Sequence, residues 1–128
     1  MVPFLLVFIG AGIGGSLRHG VNLGCARYCG LSFPWGTMTV NVVGSFVMGA
    51  LAGWLAFRAG EGWNQNVRLF LTTGVLGGFT TFSSFSLDAV LLWEKGENSL
   101  ALLYVAASVA LSLLGLVAGL ALVRTLSA

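Results

Sequence analysis

The segment Leu69–Trp93, LFLTTGVLGGFTTFSSFSLDAVLLW, decides how this chain is read. It is long and apolar enough to cross a bilayer, which takes about 20 predominantly apolar residues. Its middle, however, holds Gly74, Gly77 and Gly78, followed by a Thr/Ser-rich run with phenylalanines at 79, 82 and 85. Glycine lowers the penalty for interrupting a helix, and hydroxyl side chains can re-satisfy the backbone groups that an interruption frees. Two readings stay open. The segment is helical throughout and its glycines serve packing, or the helix breaks at mid-membrane. A break would turn carbonyls of the first half toward a cation and amides of the second half toward an anion.

Three further segments of the same kind surround it, at residues 3–26, 35–57 and 100–123, with this one spanning 69–93. Of the 128 residues 57% are hydrophobic and 8% charged, a balance that marks an integral membrane protein rather than a water-soluble domain. The expected fold is therefore all-α, a single four-helix transmembrane domain over residues 1–128. The N-terminal stretch MVPFLLVFIGAGIGG lacks the basic start of a secretory signal, so it is expected to stay as the first span. The connectors RYCGLSFP, RAGEGWNQNVR and EKGENS are short and turn-like, and Trp35, Trp54, Trp63 and Trp93 fall near span ends, where indoles favour the interface. A net charge of +2 without any basic run excludes nucleic acid as a partner.

Loop charge barely chooses an orientation. Arg58, Arg68 and Arg124 fall on one side, Arg27 and Lys95 on the other, so the positive-inside rule is almost silent. Either loops this short hold few charges, or the chain inserts both ways and pairs with an inverted copy of itself. Glycines four apart, Gly10/Gly14, Gly20/Gly24, Gly49/Gly53 and Gly115/Gly119, are expected to let helix backbones approach closely. Cys25 and Cys29 share a helix face in poor geometry for a mutual disulfide, and read as small buried residues, with a metal pair as the alternative.

Polar residues are expensive in lipid, so each needs a partner or a task. Arg18 in the first span suits a structural anchor or an electropositive vestibule, with His19 beside it as an interfacial residue. Thr37, Asn41 and Ser45 recur every four residues in the second span, and Tyr104, Ser108 and Ser112 do so in the fourth. Such stripes are either interhelical hydrogen-bonding glue or the wall of a narrow polar track. They contain no carboxylate, and their hydroxyls, amide and phenol can all donate to an anion. Phe82 and Phe85, three apart, would project from one helix face. They serve packing, or they offer positive ring edges to an anion. Phe79 is expected to pack. Asp88 is the one acidic residue within the spans.

These residues carry a resemblance. GGSLRHG (14–20), WGTMTVNVVGSFVMG (35–49), TTGVLGGFTTFSSFS (72–86) and YVAASVALS (104–112) resemble the small bacterial fluoride channels called Fluc, or CrcB, over nearly the whole chain. The resemblance implies an antiparallel, dual-topology homodimer of four-helix subunits with the third helix broken mid-membrane and two fluoride pores along the subunit interface. Phe82 and Phe85 would be the aromatic pair whose edges contact fluoride. Asn41 would donate its amide to the ion and help orient the rings, while Thr37, Tyr104, Ser108 and Ser112 would form the polar track. Gly77 and Thr80 would offer backbone carbonyls to a structural Na+ at the dimer centre, shared with the second copy. Arg18 matches the family's first-span arginine, a structural or vestibule residue. His19 and Asp88 depart from the pattern, where an aromatic residue and a glutamate are common.

The implied function is passive export of fluoride across the bacterial cytoplasmic (inner) membrane. Hydrogen fluoride enters as the neutral acid and dissociates inside, and the membrane potential then drives the anion out. A pore for this ion must replace its tightly held water with closely spaced donors that still release it. The rivals are a small proton-coupled multidrug-type exporter, which would need a membrane-buried carboxylate, and a non-transporting assembly subunit whose stripes are glue. An enzyme is not expected, since no nucleophile, base and orienting group can be assembled from these residues.

Overall fold

The computed structural model describes residues 1–56 and 65–127. Phe57, Arg58 and Trp63, to which the sequence assigned a span end, a loop charge and an interfacial indole, lie outside the described residues. All regular structure among the described residues is helical: α1 (Val2–Cys29), α2 (Trp35–Trp54), α3 (Gln65–Leu69), a π-helical run (Phe70–Leu76), α4 (Gly77–Phe79), α5 (Phe82–Glu94) and α6 (Asn98–Ser127). Four stretches are long and apolar enough to cross a membrane: Val2–Cys29, Trp35–Trp54, Gln65–Glu94 and Asn98–Leu126.

α1, the third span and α6 run past the predicted ends, whereas α2 begins at Trp35 as expected and does not. α1 continues through Arg27 and Cys29, expected as connector, and ends at Gly30, whose φ of 83° only glycine adopts without strain. Pro34 then caps α2, a position where its missing N–H is no loss. Gly96, with φ 84°, makes the turn from α5 into α6. Between α4 and α5 two residues leave the helix: Thr80 (φ −86°, ψ 159°) and Thr81 (φ −152°, ψ 120°) are extended. Thr81 then caps α5, its hydroxyl accepting from Ser84 N–H at 3.2 Å.

Small residues decide how the helices stack. A Cβ on Gly49 would strike the Leu116 carbonyl, and one on Gly119 the Phe46 carbonyl, so α2 and α6 cross with backbones in direct contact. Gly10 and Gly14 do the same for α1 against the π-helical run, Gly14 lying on the Val75 carbonyl. In lipid, where apolar burial gives helices little reason to associate, such close approach supplies the dispersion contacts that hold a bundle. Gly20 and Gly24 differ: among the described residues nothing beyond their own helix backbone lies within 4 Å of a Cβ on either, so their spacing is not used for packing there.

A hydrophobic cluster joins Phe33, Met38, Phe85, Leu92, Ala101 and Tyr104 toward the α2–α6 end that carries the Pro34 turn. Elsewhere large apolar side chains face outward, among them Phe4, Phe8, Leu102, Leu113 and Leu114, the surface a bilayer demands. Both cysteines are free, Cys29 is exposed rather than buried because it ends α1, and among the described residues no three His, Cys, Asp or Glu gather to hold a metal. The Cys25 thiol instead points at the Thr39 hydroxyl, 3.9 Å away.

Candidate functional site

The extended pair Thr80–Thr81 organises the site. Extended residues inside a bundle carry N–H and C=O groups that no helix ladder satisfies, and each such group left unpaired in an apolar setting is costly. Asn41 on α2 answers both needs of Thr81. Its Oδ1 accepts from the Thr81 N–H at 2.8 Å, and its Nδ2 donates to the Thr81 carbonyl at 3.0 Å.

This arrangement redirects two donors. In a continuous helix the Thr81 N–H would serve the Gly77 carbonyl, and the Ser84 N–H the Thr80 carbonyl. Here they go to Asn41 and to the Thr81 hydroxyl. The carbonyls of Gly77 and Thr80 therefore fit the ligand chemistry of a hard monovalent cation, which takes neutral oxygen donors.

A groove of about 300 Å³ runs alongside, lined by Asn41, Gly44, Ser45 and Met48 from α2, Thr80 to Phe82 and Phe85, and Ser108, Val109, Ser112 and Leu116 from α6. Two helical stripes of period four thus meet across one channel-like space. Ser108 is 4% exposed, and its Oγ has no hydrogen-bond partner among the described residues. A buried hydroxyl left unpaired costs about 1 to 3 kcal/mol, and this one stands on the groove wall with a donor to offer.

Phe82 and Phe85 project from the first turn of α5 with ring centroids 5.6 Å apart and planes inclined at 46°. They differ in setting: Phe82 is 78% exposed, whereas Phe85 is 9% exposed and packs on Tyr104 at 5.2 Å.

The structure separates two of the polar positions from the groove. Tyr104 is wholly buried behind Phe85, edge-on to Phe33, and its hydroxyl donates to Asp88 Oδ2 at 3.3 Å. Thr37 and Asp88 open on a second, more polar cavity of about 620 Å³, together with His19, Asn22, Ser84, Lys95 and Glu97. Tyr104 thus touches a residue of each space and lines neither. Arg18 is half-buried on α1 and borders neither cavity. Sequence reasoning missed Phe33, which the Pro34 turn folds onto Tyr104, and the use of Thr81, whose partner lies 40 residues away. Nothing local marks either residue.

Comparison with known proteins gives concordant results. The family described as CrcB-like protein, Camphor Resistance (CrcB), matches residues 5–120. A protein of Nitrobacter hamburgensis named fluoride-specific ion channel FluC 2 is 58% identical over 124 residues, 97% of this chain and 98% of the relative. The fluoride-specific ion channel FluC of Rhodopseudomonas palustris is 55% identical over 126 residues, 98% of this chain and all of the relative. That of Hyphomonas neptunium is 54% identical over 128 residues, the full length of both chains.

Proposed function

Because the chain belongs to the CrcB-like family and is a multi-pass bacterial membrane protein, we propose that it is a passive, fluoride-selective channel that lets cytoplasmic fluoride leave the cell. The observation that carries this reading is the Ser108 hydroxyl, buried, unpaired and on the wall of the groove that Asn41, Ser112, Phe82 and Phe85 share. Neutral donors and ring edges match a small anion that must shed its water and yet escape. An outward-directed potential on an anion is worth about 2.3 kcal/mol per 100 mV, enough for export without a coupled energy source.

In this reading fluoride passes along Ser112 and Ser108 to the edges of Phe82 and Phe85, near the remaining Asn41 N–H. The Thr37 hydroxyl continues this path at the polar cavity beside Asp88, and Tyr104 holds Asp88 from behind Phe85 without lining either space. Two copies assemble antiparallel, which supplies a lid for the exposed Phe82 ring and brings together two sets of Gly77 and Thr80 carbonyls. A sodium ion held there would take carbonyls whose donors in a continuous helix, the Thr81 and Ser84 amides, are bonded elsewhere. Arg18 acts outside the pore, as a structural or vestibule residue. Labelling single cysteines from each membrane face should find both orientations in equal amount; one orientation alone rejects the antiparallel pair.

The direct test is ion efflux from liposomes holding only the purified protein. Fluoride should leave far faster than from empty vesicles, and chloride should be retained; equal release of both ions would refute the channel reading. The same vesicles address the proton-coupled rival. Asp88 is half-buried and bonded to Tyr104 at the polar cavity, away from the groove. Asp88→Asn keeps an acceptor for the Tyr104 hydroxyl, so fluoride efflux should stay within about threefold of the parent, the equivalent of one hydrogen bond of 0.6 kcal/mol in a membrane. Abolished flux together with loss of pH-gradient dependence would favour the exporter.

A further inference from the structure

We propose that Gly44 is a positioning residue for the pore, acting on the Phe82–Phe85 pair through the methyl group of Thr80. The proposal rests on the channel reading and concerns how its aromatic pair is held.

Gly44 lies three residues after Asn41, on the same face of α2. Asn41 grips the Thr81 backbone at two points. Gly44, which is buried, faces the preceding residue: a Cβ there would overlap Thr80 Cγ2 and stand 3.3 Å from Phe79 Cδ2. Thr80 cannot simply turn aside. Its Oγ1 donates to the Leu76 carbonyl at 3.0 Å, which fixes the rotamer, and its branched Cβ leaves few alternatives. The methyl therefore sits on Gly44 because the hydroxyl is engaged on the opposite side.

The consequence reaches the rings through one residue. Thr81 is both the target of Asn41 and the cap of α5, with Phe82 as the first residue of that helix and Phe85 one turn on. If Thr80 is pushed away from α2, Thr81 moves against the Asn41 amide and the start of α5 moves with it. Gly44 has no side chain and so supplies nothing to an ion. Because Gly44 also lines the groove, an added methyl enters that space as well, and such direct obstruction would persist once the Thr80 methyl is removed.

The test is a double-mutant cycle read as fluoride current and as fluoride-to-chloride permeability ratio in planar bilayers, to which neutral hydrogen fluoride adds no current. Gly44→Ala should lower fluoride current about tenfold and reduce the permeability ratio, an order less than the hundredfold that a displacement near 1 Å can produce. Thr80→Ser removes the methyl in question and keeps the hydroxyl for Leu76. In the Thr80→Ser background, adding Gly44→Ala should change current by less than about threefold, because the contact is already gone. Equal loss in both backgrounds overturns the proposal, as does a Gly44→Ala channel with parental current and selectivity. If Gly44→Ala alone fails to fold, the double variant decides: folded, conducting protein supports the contact, and a double variant no better than the single one rejects it. Failure of the parent protein to conduct fluoride would instead sink the channel reading itself.

Discussion

Replacing Phe82 with isoleucine is expected to cut fluoride efflux from proteoliposomes by up to about tenfold, and Phe82→Ile with Phe85→Ile by roughly a hundredfold. An aromatic edge contributes about 0.5 to 1.5 kcal/mol beyond its area, and each 1.4 kcal/mol lost at a barrier is a factor of ten. Isoleucine keeps much of the apolar volume and removes the positive rim, so the loss reports on electrostatics rather than on an empty cavity. The two positions are not equivalent. Phe82 is largely exposed and carries the cleaner test, since the ring contact it loses within the chain is the one with Phe85. Phe85 also holds Tyr104, so Phe85→Ile should additionally lower thermal stability by about 1 kcal/mol. Unchanged efflux in the double variant would reduce both rings to packing residues.

Gly49→Val should prevent stable protein from accumulating. The first added carbon already overlaps the Leu116 carbonyl, which is backbone and cannot rotate away, and α2 packs more extensively against α6 than against any other element. Overpacking ordinarily costs about 1 to 3 kcal/mol, and a clash against backbone in a crossing this tight lies at or above the upper end. Gly24→Val provides the contrast, because beyond its own helix backbone no atom of the described residues lies within 4 Å of a Cβ there. The measurement is the yield of monodisperse protein in detergent together with its thermal midpoint. Equal behaviour of the two variants would contradict the α2–α6 packing described above.

These two glycines show where sequence reasoning reaches and where it stops. Gly20/Gly24 and Gly49/Gly53 have the same spacing in helices of similar composition, yet one pair faces open space and the other meets α6. Spacing identifies a face that permits close approach; it does not say which helix arrives. The same limit applies to the polar stripes. Tyr104 and Ser108 are one helical turn apart, and periodicity treats them alike. The phenol is buried against Phe85 and bonded to Asp88, whereas the serine hydroxyl is left without a partner on the groove.

The number of spanning segments, their apolar character, the turn-like connectors RYCGLSFP and EKGENS and the candidate polar stripes were all properties of the chain read in order. They rest on local quantities: hydropathy over a bilayer's thickness, and the backbone freedom of single residues. What only the tertiary structure decided are contacts between residues far apart in sequence. Asn41 binds Thr81 across 40 residues, Gly44 seats the Thr80 methyl, and Phe33 closes over Tyr104. None leaves a periodic trace, because each depends on which helix faces mid-span, and that is set by how glycine-lined backbones fit together in three dimensions.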